Sequence, residues 1–252
     1  MLGWFLVTCR RDCISPCFVA ISLEVKLDRL LAKHNAMGRS QARQRVVDRC
    51  VSVDGLVVIR HDLEVNRFSR VELDGVLIRP AQRLLHLMLH KPVGVVSATL
   101  DAEHRTVIDL IDDPDKKSLH LVGRLDRNTS GLMLLTNDGR WSKALMDPAR
   151  KVPKVYLVET LDPIPPEAVA EFARGFYFHT EDLITLPAEL KILGERTARL
   201  TLHEGRYHQV KRMFHRIGNR VITLHRERIG EIALPDDLPP GAWRHLTAEE
   251  ML

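Results

Sequence analysis

A single carboxylate between two arginines is the part of this sequence best suited to chemistry. Asp126 stands between Arg124 and Arg127 in a polar stretch that passes through Gly131 into the apolar run 132–135. Nearby cations favour the charged form of a carboxylic acid, so we expect Asp126 to be ionised. An ionised carboxylate on a partly desolvated loop can act as a nucleophile or as a general base. Taken alone, the same pattern also fits a salt bridge or a turn.

Basic residues are concentrated in two stretches of the chain. The whole sequence has a formal charge of only +4 and a pI near 9.0, which suggests a polyanionic partner without proving one. The first stretch contains Lys26, Arg29, Lys33, Arg39, Arg43, Arg45 and Arg49. The second contains Arg206, Lys211, Arg212, Arg216, Arg220, Arg226 and Arg228. These stretches favour surfaces that face phosphates, although solvated helix faces would give the same pattern.

Two helices are predicted to carry the first basic stretch. The first helix has an apolar face at helical spacing, formed by Leu27, Leu30 and Leu31. Gly38 interrupts this pattern, and Ser40 is of the type that caps a second helix. The inward face of the second helix is predicted to consist of Ala42, Val46 and Val47. Arginines are spaced one turn apart, as Arg39 with Arg43 and as Arg45 with Arg49.

Two hairpins are predicted to follow these helices. Asp54-Gly55 and Asp74-Gly75 each lie between apolar runs, and an Asp-Gly pair is a strong turn signal. Cys50, which comes before the first hairpin, is most simply a small core residue. The two helices and the small sheet together indicate a compact module.

A longer α/β region is predicted after a connector that begins at Arg79. Strand-like runs are found at Leu84–Leu89, Leu132–Leu135, Val155–Thr160, Ala198–Leu202 and Val221–Leu224. Helices are predicted at Trp141–Met146, Pro166–Gly175 and Tyr207–Ile217. Strands joined by long, irregular connections favour a mixed, mainly antiparallel sheet over a regular βαβ array. The predicted fold class is therefore α+β, with helices flanking the sheet.

The first 24 residues require a separate interpretation. Arg10, Arg11 and Asp12 interrupt their apolar pieces, which makes them too short to span a membrane and unlike a secretory signal. We interpret residues 1–24 as an accessory extension or a start assigned too early. No membrane association is expected, and a cytoplasmic protein with reduced thiols is the simplest reading.

Metal binding is not expected. Three of the four cysteines lie in the leader without the paired spacing of a structural zinc site, namely Cys9, Cys13 and Cys17. Histidines are numerous late in the chain, at His203, His208, His215 and His225. Their neighbours are basic, which disfavours a bound cation.

The N-terminal module resembles the S4 RNA-binding domain, which is named for a ribosomal protein. The resemblance covers residues 25–78 and rests on the segments KLDRLLA and GRSQARQRVVDRCVSVDG. It implies contacts with the RNA backbone, which position a protein without reading the sequence. The residues expected to make them are Arg29, Lys33, Arg39, Arg43 and Arg45. Another kind of small basic helical module is the alternative.

Three blocks in the rest of the chain are similar to the RsuA group of pseudouridine synthases. They are HKPVG at residues 90–94, GRLDRNTSGLMLLTNDG at residues 123–139 and EGRYHQVKRM at residues 204–213. The blocks occur in the order typical of the family. The resemblance implies an S4-like domain at residues 25–78, a linker at residues 79–86 and a catalytic domain at residues 87–252.

The resemblance implies isomerisation of a uridine in RNA. This reaction breaks the C1′–N1 glycosidic bond and joins the sugar to C5 of the same base. No atom is gained or lost, so no cofactor is required. The motif assigns the reacting carboxylate to Asp126, and the sequence leaves open whether it adds to the sugar or removes a C2′ proton.

Further roles follow from the same resemblance. Tyr156 matches a tyrosine whose ring stacks on the uracil and whose hydroxyl helps to remove the C5 proton. Lys211 matches the basic partner of the carboxylate; most synthases outside this group have arginine there, so the bidentate fork is lost while the charge is kept. Leu224 is expected to form an apolar wall under the base. Arg124 is expected to hold the space or the phosphate of the flipped nucleotide.

The expected substrate is ribosomal RNA. The segments EGRYHQVKRMF and LHRERIG look most like small-subunit enzymes, which implies 16S rRNA and the uridine conventionally numbered 516. We expect the RNA to be bound in a partly assembled small subunit, and the protein to act as a monomer. The alternatives are a large-subunit synthase of the same family and a non-catalytic S4-type RNA-binding protein. A hydrolase using Asp126 lacks a recognisable second carboxylate.

Overall fold

The computed structural model describes residues 24–251. The interpretation of the leader, including its three cysteines, falls almost wholly on residues 1–23 and lies outside the described residues. Among residues 24–251, no helix combines the length and the apolar character needed to cross a membrane.

The first part of the chain folds into two helices and short antiparallel strands. The elements are β1 (Val25–Lys26), α1 (Leu27–His34), α2 (Arg39–Val47), β2 (Val51–Val53), β3 (Leu56–Val57), β4 (Glu64–Val65), β5 (Val71–Leu73) and β6 (Val76–Arg79). β1 pairs with β4, and the other strands form a sheet in the order β3-β2-β5-β6. Inward side chains of β2 and β5 pack on the apolar faces of both helices. This forms a separate hydrophobic cluster of Leu27, Leu30, Leu31, Ala42, Val46, Val51, Val53, Val65, Val71 and Leu73.

The first predicted helix and both predicted hairpins are confirmed. Each Asp-Gly pair has positive φ at both of its residues, which is the geometry of the tight hairpin turn that this pair favours. Cys50 is partly buried and packs against the same cluster, as predicted.

The second helix departs from the prediction at both ends. Gly38, not Ser40, precedes its first residue, because the side chain of Gln41 accepts a hydrogen bond from the Gly38 N–H at 3.3 Å. Val47 is 55% exposed, since it lies about 100° around the helix from the buried Val46. Arg49 lies beyond the helix with φ +62°, so it does not continue the row of Arg45.

The second part of the chain is built around one large sheet. Its elements are β7 (His86–Lys91), β8 (His120–Val122), β9 (Ser130–Thr136), α3 (Gly139–Met146), β10 (Lys154–Thr160), α4 (Ala168–Arg174), β11 (Tyr177–Phe178), β12 (Leu183–Ile184), β13 (Glu189–Gly194), β14 (Thr197–Leu202), α5 (Gln209–Arg216), β15 (Val221–Ile229), β16 (Ile232–Ala233) and β17 (Trp243–His245). Short 3-10 turns are found at Ile108–Leu110, Lys116–Ser118, Pro148–Arg150 and Glu249–Met251.

The predicted mixed, mainly antiparallel sheet is confirmed. The strand order is β13-β14-β10-β15-β9-β7-β17, with β8 also paired to β9 and β16 to β15. Among the strands of residues 24–251, only the β15–β9 pair is parallel in this sheet. β11 and β12 form a separate hairpin. The five main predicted strands are present, although the first begins at His86 and not at Leu84.

Helices cover both faces of the large sheet. Side chains of α4 and α5 pack on one face, in a cluster that includes Phe172 and Phe214. α3 packs on the opposite face through Trp141 and Leu145. Because β9 is covered on both sides, its run 132–135 is continuously apolar and does not alternate.

Candidate active site

Asp126 lies on the loop of residues 123–129, which connects β8 to β9. Both strands are almost wholly buried, so the two ends of the loop are held in the sheet. Leu125 points into the core, whereas the side chain of Asp126 is 28% exposed. The Thr129 N–H donates to the Asp126 main-chain oxygen at 3.0 Å, which closes the loop into a turn.

A buried lysine holds the second half of this loop. The Lys91 ammonium group is fully buried and donates to the main-chain oxygens of Thr129 at 2.8 Å, Pro92 at 3.0 Å and Arg127 at 3.4 Å. Burial lowers the pKa of Lys91 to about 8, even though the charge of Asp126 acts to raise it. Lys91 therefore ties the end of β7 to the loop that carries Asp126.

The first half of the loop is held by a serine. Ser97 Oγ donates to the Leu125 oxygen at 2.6 Å and accepts from the Leu125 N–H at 3.1 Å. The Gly94 N–H donates to the Arg127 oxygen at 2.8 Å. Main-chain contacts on both sides of Asp126 thus restrict where its carboxylate can point.

A glycine allows β9 to approach its parallel neighbour. Gly131 has φ +111°, and a Cβ there would lie 2.3 Å from the main-chain oxygen of Arg226. The Arg226 side chain is 2% exposed, and its Nε donates to the Leu132 oxygen at 2.8 Å. Its Nη1 lies 3.5 Å from the Arg124 oxygen. This junction connects β15 to both ends of the Asp126 loop.

Two basic side chains contact the carboxylate of Asp126. Lys211 Nζ lies 3.0 Å from Oδ2, and His208 Nε2 lies 3.4 Å from Oδ1. Neither of the arginines that flank Asp126 in the sequence forms an ion pair with its carboxylate. Arg124 is exposed, and Arg127 Nε donates to the Gly94 oxygen at 3.2 Å. Neighbours in a loop point in different directions, so adjacency in the sequence did not identify the partners, whereas the family resemblance had already assigned Lys211 as the basic partner.

Both side chains come from the start of α5. Lys211 is in its first turn, and His208 precedes the helix with φ +48° in the left-handed region. Tyr207 stacks on His208 with the ring centroids 3.8 Å apart and is 69% exposed. An aromatic ring therefore stands at the mouth of the site, one residue from a group that contacts Asp126.

Tyr156 lies near the middle of β10. It stands opposite Arg226 on β15, which in turn pairs with Gly131 on β9. Neighbouring strands are about 4.8 Å apart, which puts the Tyr156 backbone about 10 Å from that of Gly131, just beyond the loop. Tyr156 is 8% exposed and Leu224 is 7% exposed, and both belong to the buried cluster that contains Leu125. The sheet therefore places Tyr156 and Leu224 on the face of the molecule that carries the Asp126 loop.

Comparison with known proteins identifies the family of this site. A family model described as RNA pseudouridylate synthase matches residues 85–216, which include Asp126, Tyr156 and Lys211. The protein from Pseudomonas aeruginosa named ribosomal small subunit pseudouridine synthase A is 53% identical over 227 residues, covering 90% of this chain and 99% of its own. This chain belongs to the RNA pseudouridylate synthase family.

Further similar proteins support the assignment of this chain to the family. The Escherichia coli protein with the same name is 40% identical over 90% of this chain and 98% of its own length. A crystal structure of a pseudouridylate synthase superposes with a TM-score of 0.66 at 36% identity, covering 91% of this chain and 98% of that chain. The resemblance to the RsuA group, on which the sequence interpretation rested, is confirmed.

The five basic side chains of the N-terminal part that were expected to contact the RNA backbone are all exposed, but they differ in their carboxylate partners. Arg39 and Arg43 bind the buried carboxylate of Asp28 at 3.2 and 2.9 Å. Burial acts to raise the pKa of Asp28, but the hydrogen bonds from these arginines outweigh it and lower the pKa. Arg45 pairs with Asp74 at 2.7 Å. Arg29 and Lys33 lie one turn apart on α1. Neither forms an ion pair with another residue of the range 24–251.

Sequence reasoning missed several residues that build this site. Lys91, Gly94 and His208 stand in the family motifs but were assigned no separate role, and Ser97 was not singled out. Arg226 was expected on a phosphate-facing surface, but it is 2% exposed. The sequence did contain one signal, the residue type at the end of β7. Lys91 follows an apolar strand, and a lysine that is buried there needs hydrogen-bond acceptors nearby. Among residues 24–251, no group of three or more histidine, cysteine, aspartate or glutamate side chains is placed to hold a metal ion.

Proposed function

We propose that this enzyme converts a uridine of small-subunit ribosomal RNA to pseudouridine, at uridine 516 of 16S rRNA. The observation that carries the proposal is the Asp126–Lys211 ion pair, on the face of the sheet that also carries Tyr156. The small-subunit target is supported by the relatives from Pseudomonas aeruginosa and Escherichia coli, whose names state that substrate and whose lengths are matched almost completely.

Asp126 supplies the carboxylate that acts on the ribose of the target nucleotide. One oxygen either attacks C1′ or accepts the proton from C2′, and the C1′–N1 bond breaks with its electron pair passing to the uracil. The base then rotates and C5 bonds to C1′, which displaces the Asp126 oxygen from C1′ on the first route and is accompanied by return of the proton to C2′ on the second. The C5 proton then leaves and N1 gains a proton. The composition of the nucleotide is unchanged, so this chemistry requires no cofactor.

Lys211 positions the reacting carboxylate. Its ammonium group stabilises the negative charge and fixes Oδ2 at 3.0 Å, while Oδ1 faces the more distant His208 at 3.4 Å. A lysine makes this contact as a point charge, where an arginine would make a planar fork. Oδ1 is therefore the oxygen freer to approach the ribose.

Tyr156 and Leu224 hold the detached uracil. A tyrosine ring provides a flat apolar face for stacking, and its hydroxyl is the group that assists removal of the C5 proton. Leu224 adds an apolar surface on the neighbouring strand. A pocket poor in water keeps the free base in place until it rejoins the sugar.

The target uridine has to leave its stack before Asp126 can reach it. Extrusion of a nucleotide costs a few kcal/mol, which contacts with the flipped nucleotide must offset. Arg124 is exposed and lies two residues from Asp126. We assign it to the phosphate of the flipped nucleotide or to the space that the base leaves.

Residues 25–78 act as an S4-like RNA-binding domain, residues 79–86 as a linker and residues 87–252 as the catalytic domain. A separate hydrophobic cluster in the first part and the exposed cations of α1 and α2 support this division. Arg29 and Lys33 are the residues most available to phosphates, because the charges of Arg39, Arg43 and Arg45 are already paired with carboxylates. This domain supplies affinity, and RNA shape selects the uridine.

The enzyme acts as a cytoplasmic monomer on a partly assembled small subunit. Asp126, Tyr156 and Lys211 come from a single chain and lie on one face of its sheet, which supports a site that needs no second copy. A partly assembled particle leaves RNA accessible that a complete subunit would cover.

Chemical mapping of pseudouridine in ribosomal RNA tests this proposal. RNA from cells that have the protein and from cells that lack it is compared, and the deletion strain is complemented with wild-type enzyme or with Asp126→Asn. We expect the modification at position 516 of 16S rRNA to depend on the protein and on Asp126. A modification lost from large-subunit RNA, with the small subunit unchanged, would instead establish the other target.

A further inference from the structure

A cleft of about 350 Å³ begins at the Asp126 ion pair and runs along the outer side of α5. Lys211 and His208, which both contact Asp126, form one end of it. The opposite wall is the segment that follows β11, including His179. The cleft is therefore a continuation of the proposed reaction centre.

Basic side chains dominate the lining of this cleft. Six of the eight lining residues are basic and none is acidic, and the six are His179, His208, Lys211, Arg212, His215 and Arg216. On α5 the basic residues are four apart, as Lys211 with His215 and Arg212 with Arg216. This spacing puts them in two rows on one side of the helix, with members about 6 Å apart along its axis.

Two of these cations have fixed partners. Arg212 donates from both Nη atoms to Glu181 at 2.7 Å, and its guanidinium lies 3.6 Å from the centroid of the Phe178 ring. These contacts hold the β11–β12 hairpin against α5 and keep the cleft open between them. Lys211 is paired with Asp126.

The remaining basic side chains, Arg216, His179 and His215, have no carboxylate partner among residues 24–251 and are available to an anion. Arg216 donates to the main-chain oxygen of Tyr177 at 2.7 Å, and within residues 24–251 it has no carboxylate partner. His179 and His215 are exposed, and neither forms an ion pair in this part of the chain. The Arg216 charge, with two histidines that can donate hydrogen bonds next to a site that must receive a nucleotide, is suited to a phosphate.

We propose that this cleft binds the phosphodiester backbone of the nucleotides that flank the target uridine. The inference rests on the proposed function and extends it, because it gives the catalytic domain its own RNA contacts. Arg216 and His215 bind the phosphates directly, and the Glu181–Arg212 pair keeps the wall of the cleft in place. Backbone contacts of this kind hold the flanking strand while the uridine is extruded, and they do not depend on the sequence.

Binding measurements on the full chain test this site. Arg216→Ala and His215→Ala are compared with wild type for equilibrium binding to 16S and 23S rRNA transcripts at several salt concentrations. For Arg216→Ala we expect the Kd to rise about two- to fivefold on both transcripts. The slope of log Kd against log salt should fall by about 1. KM should rise in proportion while kcat stays unchanged.

The matched control is Lys143→Ala. Lys143 is an exposed cation on α3, which packs on the opposite face of the sheet, so its removal should change neither Kd nor slope. Arg216→Lys should keep most of the affinity, because it keeps the charge. If Arg216→Ala has a lower melting temperature than wild type, the affinity of His215→Ala distinguishes a lost RNA contact from partial unfolding. His215 is exposed, so its removal should leave the fold intact.

Unchanged Kd and slope in folded variants would overturn the inference, as would an equal loss in Lys143→Ala. A fall in kcat with constant KM would also overturn it. The proposed target is judged separately, because it depends on which transcript the wild-type enzyme modifies and not on the affinity of these variants.

Discussion

Lys211 Nζ lies 3.0 Å from Asp126 Oδ2, although 85 residues separate the two in the chain. The contact joins the loop between β8 and β9 to the first turn of α5. This helix packs on the face of the large sheet that also carries Tyr156. Lys91 and Ser97 hold the loop, while the helix is anchored by buried apolar residues. The ion pair therefore depends on two separately supported elements.

Replacement of Asp126 by Asn should abolish pseudouridine formation. The amide has nearly the same shape but is neither a nucleophile nor a base, so we expect a loss of at least about 10⁴-fold in single-turnover rate. RNA affinity should change little, and both quantities are measurable on one transcript. Asp236→Asn is the matched control, because Asp236 is exposed next to residues that pack on the opposite face. Appreciable turnover in Asp126→Asn would remove the carboxylate from the mechanism.

Replacement of Lys211 by Met should lower kcat by about 10²-fold, because the carboxylate loses its charged partner. Lys211→Arg should recover much of this loss, since it restores the charge within reach of the same oxygens. Single-turnover rates at saturating RNA distinguish this effect from weaker binding. If Lys211→Met were as active as wild type, the ion pair would be dispensable.

Two substitutions of Tyr156 distinguish the contribution of its ring from that of its hydroxyl group. Tyr156→Phe keeps the ring and should bind RNA normally, but we expect its rate to fall by about 10²-fold or more if the hydroxyl assists proton removal. Tyr156→Leu should lose stacking as well and show a higher KM. Equal rates for wild type and Tyr156→Phe would assign Tyr156 to stacking alone.

Lys91 should make the free energy of unfolding vary with pH in the alkaline range. In the folded protein its pKa is lowered to about 8, whereas an unfolded lysine titrates near 10.4. Between these values the unfolded state binds more protons, so the contribution of Lys91 to the free energy of unfolding rises with pH, by up to about 1.4 kcal/mol per unit. Denaturant unfolding of wild type and Lys91→Met from pH 7 to pH 10 measures the difference. A difference that is constant over this range would contradict the lowered pKa.

The double substitution Arg29→Ala with Lys33→Ala should weaken RNA binding through the N-terminal domain. Neither residue is paired with a carboxylate in residues 24–251, so each is free to contact a phosphate. We expect the slope of log Kd against log salt to fall by about 2, with kcat unchanged. Arg174→Ala, an exposed arginine at the end of α4, serves as the control. An unaltered slope would argue against RNA contacts by α1.

Local patterns in the sequence were sufficient for most of the elements. The apolar run 132–135 predicts β9 and the Asp-Gly pairs predict two hairpins, each within one short segment. Several strands were missed, including β8, β13 and β17 of the large sheet. β13 has a weak signal in the alternation of Leu190 and Ile192 with charged residues, whereas the three residues of β17 have none.

Sequence alone determined the chemical types at the site and the family whose motifs contain them, because motif order and spacing are properties of the chain. Only the tertiary structure decided how these groups are arranged in space. It brought His208 to the carboxylate beside Lys211, the partner that the family motif had implied, and left the flanking arginines without an ion pair to Asp126. It also buried Lys91 under the loop and aligned Tyr156, Arg226 and Gly131 across three strands. Strand order and register set these distances, and both result from packing between segments that are far apart in the chain, which no local pattern encodes.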